Sequence, residues 1–277
     1  MTIKTHKLLD INYLKQFCSD ILADTNHNSI KEKQRFLLKF YSIINFKLVA
    51  SPDKLVFRAR KCDDIGFDNI VEMGPPPVHL TKSNRLNEAN KPVLYLSNNM
   101  WSSFDEIGMK DNDYVQVISC KYNKMKDPSI AIIGDIKEVF RWGNSRYSKF
   151  ITDYIKRTFY DLGKQNLDGL KSYIYTDSFL SSLLTDSSAK DKNYIHTQSL
   201  SELIFEKLPH VDGVAYQGIE SSGAWNLALK SKSFKEFLSV NSVHLFHINQ
   251  CYGYGIYGQQ LIKKATRITD SGKIVWK

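Results

Sequence analysis

Long apolar runs are missing from this chain of 277 residues. No stretch reaches the roughly 18 apolar residues that a membrane span needs. Met1 to Asp10 carries lysines but no apolar segment of signal-peptide length, so a soluble, cytoplasmic protein is expected. Cysteine is scarce too: Cys18, Cys62, Cys120 and Cys251 are all there is. No two form a CxxC pair and none has a metal-like spacing to a histidine, which argues against a zinc site or a disulfide framework and fits a reducing compartment. Cys251 has no recognisable base for nucleophilic work and reads as a buried thiol. Internal repeats and low-complexity segments are also lacking.

What is present is ordinary globular material. Hydrophobic residues make up 42% and charged residues 24%, so disorder is not expected. With 15 Tyr and 15 Phe there is apolar bulk for a sizeable core and for an aromatic-lined cleft. The net charge is +9, from 38 Lys and Arg against 29 Asp and Glu. Such an excess attracts polyanions: nucleic acid, anionic lipid or a phosphorylated small molecule. It equally describes a lysine-rich solvated surface, and no basic run has the look of a nucleic-acid tail.

Two amphipathic helices are expected over residues 10–48, one with Leu14, Phe17, Cys18, Ile21 and Leu22 on a face, the next with Ile30, Phe36, Leu37, Phe40 and Ile43 behind a cap at Asn28 or Ser29. Ser51-Pro52-Asp53-Lys54 reads as a turn and a boundary, giving an N-terminal helical segment over 1–50 and a second domain over 51–277. From there the texture changes to short strands: Leu55–Arg60, Pro92–Leu96, Tyr114–Ile118, Ile130–Ile133, Asp212–Tyr216 and Val243–Ile248. Gly74-Pro75-Pro76-Pro77 is expected to be an extended loop. Helices are expected to start at Ser102 or Ser103, to cover 143–164 and part of 170–184, and to open at Ser199 on a capping-box pattern completed by Glu202. The mixture predicts an α+β fold with a mixed sheet and an N-terminal helical appendage.

The chemistry-bearing stretch is Asn84-Arg85-Leu86-Asn87, then Val93-Leu94-Tyr95-Leu96, then Ser103-Phe104-Asp105-Glu106. A loop arginine, a strand-end tyrosine and a helix-start glutamate fall where ligands bind at a sheet edge. Arginine offers planar bidentate donors to a diphosphate, tyrosine a ring and a hydroxyl, and a carboxylate can hold a ribose hydroxyl and offset positive charge on the sugar. Taken singly, each has a plainer reading: a surface ion pair for Arg85, a core ring for Tyr95, a helix-dipole partner for Glu106.

These segments, with Phe57-Arg58-Ala59-Arg60 and the Gly74-Pro75-Pro76 loop before them, stand in the order found in RES domains. The steps of ten residues from Arg85 to Tyr95 and eleven from Tyr95 to Glu106 are similar to the family's. Downstream, Tyr194-Ile195-His196-Thr197-Gln198, Asp212-Gly213-Val214-Ala215-Tyr216 and Asn226-Leu227-Ala228-Leu229 resemble its later motifs, so the likeness spans roughly residues 55–230. The resemblance implies a fold like that of ADP-ribosyltransferase toxins and degradation of NAD as substrate by hydrolysis or phosphorolysis, with no metal. It also implies the toxin half of a bacterial toxin–antitoxin pair, opposed by a helix-turn-helix antitoxin; a homodimer is a further candidate assembly.

Carried over, Arg85 holds the NAD phosphates, Tyr95 packs on the nicotinamide riboside and Glu106 orients the ribose. Arg58, Asn87, Tyr216 and Asn226 are expected to bind substrate. Arg58 and Arg60 are read as alternating across their strand, so that only one faces the cleft, with Arg58 favoured. The family's serine, two residues after the tyrosine of its last motif, is replaced by Gly218, with Ser221 and Ser222 nearby as substitutes. Cleavage would proceed through an oxocarbenium-like ribose, with Glu106 as its electrostatic partner. Two other readings stay open: transfer of ADP-ribose to a macromolecule, and a binding protein without turnover, either a weakened RES-like one or a basic module for nucleic acid.

Two patterns mislead. Gly253-Tyr254-Gly255-Ile256-Tyr257-Gly258 matches G-x-G-x-x-G, but too little chain follows for a dinucleotide-binding unit, and a glycine-rich loop is expected. His244 and His247, three apart in a strand, face opposite sides and cannot share a metal.

Overall fold

The computed structural model describes residues 10–40, 44–47, 55–123, 128–218 and 223–277. Ile43, the Ser51–Lys54 turn, Ser221 and Ser222 lie outside the described residues. The protein is α+β, with a mixed sheet and, among the described residues, eight α-helices. It divides into two compact units, Met1–Phe46 with Ser83–Asn87 and Ala131–Val211, and Lys47–Lys82 with Glu88–Ile130 and Asp212–Lys277. The N-terminal helices therefore share a unit with residues 131–211, where the sequence suggested an appendage ending at residue 50.

In the first unit, α1 (Ile11–Ala23) starts at Asp10, whose carboxylate accepts the N–H groups of Asn12 and Tyr13 at 2.8 and 3.2 Å. Leu14, Cys18 and Ile21 form its buried stripe. The next helix, α2 (His27–Phe40), is capped by Asn26, which takes the N–H groups of Asn28 and Ser29, rather than by those two residues themselves. Strand β1 (Ile44–Lys47) follows, within a stretch that the sequence suggested as helical to residue 48.

The remaining helices of this unit are α4 (Asp135–Trp142), α5 (Lys149–Gln165), α6 (Leu167–Leu184) and α7 (Ile195–Lys207). The helix expected over 143–164 starts only at Lys149, because Gly143 ends α4 in the left-handed region at φ 75° and Ser148 caps α5. Helix α6 is buried on several sides, from Ser172 and Tyr173 through Thr176, Asp177 and Leu180 to Leu184, and forms the centre of the unit.

The Ser199–Glu202 pair is not a cap. It sits inside α7 because a spacing of three is also one helical turn. Ser199 is buried, donates to the Ile195 carbonyl and meets His27 Nδ1 at 3.0 Å, while His27 Nε2 meets Glu202 at 3.1 Å. This serine–histidine–carboxylate chain has the look of a hydrolase triad, but its hydroxyl is sealed between helices and clamps α2 to α7. Gln34, also buried, donates to the His196 carbonyl at 3.0 Å and reinforces the clamp.

The second unit holds β2 (Leu55–Cys62), β3 (Val93–Ser97), α3 (Met100–Glu106), β4 (Tyr114–Tyr122), the start of β5 (Ser129–Ile132), β6 (Gly213–Gln217), β7 (Trp225–Lys230), α8 (Ser233–Phe237), β8 (Leu238–Gly253), β9 (Ile256–Ile268) and β10 (Ile274–Trp276). Its strands run in the order β6-β7-β3-β2-β4-β8-β9-β10, each antiparallel to its neighbours. Strand β2 pairs along its whole length with β4 but meets β3 at one position, Phe57 opposite Ser97. The core on one face joins Phe104 of α3 to Ala59, Val115, Val117, Phe246 and Ile248. Phe104 is fully buried, so it fixes α3 on that face. The glycine-rich stretch after residue 252 is the β8–β9 turn, and the strands beyond it were not foreseen.

One buried acid makes the stability of the first unit depend on pH. Burial, together with the neighbouring Asp177 charge, outweighs hydrogen bonds from Ser145 and Arg146 and pushes Asp135 up from 3.8 to about 6. Its Oδ2 has no hydrogen-bond partner. The folded protein therefore holds a proton that the unfolded chain releases at lower pH. This contribution is complete below about pH 4 and is lost as pH rises through about 6. Asp135→Asn is expected to be more stable than the parent at pH 7.5 by about 2–3 kcal/mol and near-equal at pH 4, read by urea denaturation. A parent–variant difference that does not change with pH would contradict it.

Candidate active site

The candidate site residues divide between the two units. In the second, antiparallel register aligns four of them. Ser97 lies opposite Asn226, Tyr95 opposite Ala228, and Tyr216 opposite Asn226. Directly paired residues and residues two apart on a strand share a face, so Tyr95, Ser97, Asn226 and Tyr216 project from one side of the sheet. It is the side that carries α3, since Phe57, the partner of Ser97, shares a face with core residue Ala59.

Glu106 reaches this group from α3. The helix is capped by Asn99, whose side chain accepts the Ser102 N–H at 2.8 Å, so it starts earlier than the expected Ser102 or Ser103 and ends at Glu106. The glutamate thus stands in the last turn, where the helix dipole disfavours an acid. The dipole reading of Glu106 therefore fails. What holds it is a relay. The Ser97 hydroxyl donates to Asn226 Oδ1 at 2.7 Å, and Asn226 Nδ2 donates to Glu106 Oε1 at 2.6 Å. Ser97 and Asn226 are buried, whereas Glu106 is exposed. Serine's donation fixes which end of the amide faces the carboxylate. A buried, oriented amide that donates to a solvent-facing carboxylate fixes where that carboxylate points.

Tyr95 is half-buried and Tyr216 buried, so Tyr95 is the more accessible ring of the two. Asn226, expected as a direct substrate ligand, orients Glu106. Ser97 was missed by sequence reasoning. The signal available was its place two residues after Tyr95 on the same face, but its partner lies 129 positions away.

Gly218 stands beside this relay. A Cβ added there would meet the Ala224 methyl at 3.5 Å, the Ala224 carbonyl at 3.6 Å and Asn226 Nδ2 at 3.7 Å, all ordinary contacts. A serine therefore fits at position 218 without backbone strain.

Arg58 is placed elsewhere. It adjoins Phe57, so it projects from the face opposite to Tyr95, Ser97 and Asn226. Arg60, two residues on, projects from that same opposite face; the expectation that the two arginines alternate was wrong, because strand side chains repeat every second residue. Arg58 Nη1 donates to the Tyr95 backbone carbonyl at 3.1 Å, just where β2 and β3 cease to pair. Its Nε has no hydrogen-bond partner, and burial plus the nearby Arg60 charge push its pKa down to about 10. Arg58 thus ties the diverging strands together.

In the first unit, Asn84 and Asn87 exchange backbone hydrogen bonds of 2.9 and 3.2 Å, closing a tight turn with Arg85 at its tip. Gln198 of α7 anchors the turn by donating to the carbonyls of Asn84 and Asn87, each at 2.9 Å. Asn87 is buried, and its backbone takes this structural role. Arg85 donates to the Asp186 carbonyl at 3.0 Å and lies 5.8 Å from the centre of the Tyr194 ring. Among the described residues no carboxylate pairs with it. Burial alone would raise the Asp186 carboxyl, but hydrogen bonds from Ser188 and Lys192 outweigh this and hold it below the usual range.

Tyr194 itself has φ 57°, following Asn193 at φ 50°. A bulky residue in the left-handed region is a strained feature of the kind that accumulates at functional sites. Asp186, Lys192, Tyr194, His196 and Thr197 line a small depression beside Arg85's contacts.

Comparison with family models, with curated proteins and with solved structures found no match. Among the described residues no helix is long and apolar enough to cross a membrane.

The placement of Arg58 has a measurable consequence. Arg58→Ala is expected to lower stability by about 2–4 kcal/mol, through a lost hydrogen bond and a cavity between diverging strands. Urea denaturation would show it. A variant as stable as the parent would return Arg58 to the list of ligand-binding candidates.

Proposed function

We propose that the protein cleaves the bond between nicotinamide and ribose in NAD, passing the sugar to water or inorganic phosphate, as the RES-like order of its motifs implies. The observation that carries this reading is the Ser97–Asn226–Glu106 relay. It holds and aims a carboxylate on the face that also carries Tyr95. Nicotinamide in NAD is a cationic leaving group and needs no general acid. The chemical demand is therefore for negative charge beside the oxocarbenium-like sugar and for a ring against the riboside. Glu106 meets the first demand and Tyr95 the second. The resemblance assigns the diphosphate to Arg85, which offers planar bidentate donors and has no acidic partner among the described residues. On this reading the protein acts inside a bacterial cell as the toxin of a toxin–antitoxin pair, with a helix-turn-helix antitoxin as its partner.

Gly218 favours a second reading. It adjoins the relay at the position where the resemblance places a serine, so a hydrogen bond to substrate is missing there. The outcome would be slow turnover, or a RES-like protein that binds without turning over. Transfer of ADP-ribose to a macromolecule uses the same carboxylate and remains an alternative fate of the sugar.

Purified protein incubated with NAD is expected to release nicotinamide. Glu106→Gln should abolish release while leaving the fold intact, and Asn226→Ala should lower kcat roughly 10- to 100-fold with little change in KM, since it removes aim rather than binding. Unchanged turnover in Glu106→Gln would dismiss the assignment. Gly218→Ser is expected to fold as the parent does and to release nicotinamide faster; a slower or unfolded variant would contradict the role given to that position.

A further inference from the structure

The turn joining β8 to β9 runs through Gly253, Tyr254 and Gly255, with φ values of 81°, 55° and 73°. Glycine adopts this conformation freely, whereas a tyrosine is strained in it. Tyr254 is also fully exposed, so no packing offsets that strain. Its neighbours Tyr252 and Ile256 are more than half exposed as well. The base of the turn is held firmly on α3: the Tyr257 hydroxyl donates to the Asp105 carboxylate, and Trp101 stacks on the Tyr257 ring at 6.5 Å with 8° between planes. A rigid support thus presents strained, solvent-facing rings.

The stem behind the turn is basic. From Leu238 to Lys277 there are five lysines and arginines, at 263, 264, 267, 273 and 277, against one acid, Asp270. None of the five forms an ion pair among the described residues, and four of them, Lys264, Arg267, Lys273 and Lys277, are exposed. Lys264 and Lys277 exchange backbone hydrogen bonds of 3.3 and 2.9 Å, and His244 lies opposite Lys264 on β8. Lys264 and Lys277 therefore stand side by side on one sheet face, while burial and the Lys264 charge lower the pKa of His244 beside them. Like charges directly opposite each other destabilise a sheet, so the strained turn and the Lys264–Lys277 pair each carry a local cost that a bound polyanion would offset.

We propose that the β8–β9 ribbon binds single-stranded nucleic acid, with Tyr254 and Tyr252 stacking on unpaired bases and Lys264, Arg267 and Lys277 neutralising phosphates. A flexible polyanion with exposed π-faces meets both needs at once. A bilayer engaged by the turn does not: Lys264 lies ten residues from Tyr254, roughly 30 Å along the strand and well beyond the screening length. A duplex hides the base faces that the tyrosines would use. This inference does not rest on NAD cleavage.

The experiment is fluorescence anisotropy with labelled single-stranded RNA and DNA of about 20 nucleotides, with the matching duplex and flotation with phosphatidylserine vesicles alongside. Single strands are expected to bind more tightly than duplex, and to weaken about 20-fold between about 50 and 200 mM salt if roughly three phosphates are engaged. Tyr254→Gly relieves the backbone, so its thermal midpoint should hold or rise while affinity falls about tenfold. Lys264→Ala combined with Lys277→Ala should flatten the salt dependence by about two phosphate contacts. The proposal is overturned by no binding at low salt, by equal affinity for duplex and single strand, by unchanged affinity in Tyr254→Gly, or by binding to vesicles alone.

Discussion

A single amide governs the candidate active site. Asn226 is buried, and a buried amide must have both ends satisfied. It accepts a hydrogen bond from the Ser97 hydroxyl and donates one to the Glu106 carboxylate. That arrangement exists because β3 and β7 pair with Ser97 directly opposite Asn226, and because Phe104 pins α3 to the same face. A slip of one residue in that pairing would turn Ser97 or Asn226 to the other side and leave Glu106 without its partner. The placement of the Glu106 carboxylate thus depends on strand register and core packing at once.

The first unit shows the same economy in a different setting. Arg85 stands on a turn that closes on itself and is held by Gln198, so the guanidinium is positioned by backbone hydrogen bonds rather than by an acid. Tyr194 beneath it keeps a strained backbone. The serine–histidine–glutamate chain of the same unit shows the opposite case, where familiar catalytic geometry serves only to pack helices because its hydroxyl is buried.

The α+β class, most of the strands and the stretch holding Tyr95 and Glu106 were legible in the sequence, since strand periodicity and helix-compatible composition are local signals. Errors arose where two structures share one spacing. Ser199 and Glu202 fit a capping box and equally one interior turn of α7, and only partners on α2 decide between them. Helix α3 was started late because Asn99 precedes two serines that are also good caps. Arg58 was placed in the cleft, but strand parity sets it on the other face. Ser97 could not be found, because its meaning comes from a residue far along the chain. The turn at Tyr254 looked like a glycine-rich loop, and the sequence gives no sign that its ring is left in solvent.

The central claim is that Glu106, aimed by Asn226, faces the ribose next to nicotinamide. The most direct measurement is a crystal structure of the protein with a non-hydrolysable carbocyclic analogue of NAD. The account predicts a hydroxyl of the sugar-like ring within hydrogen-bond distance of the Glu106 carboxylate, with the Asn226 contact retained. An analogue bound only at a distance from Glu106, or a Glu106 turned away from Asn226 in the complex, would contradict it.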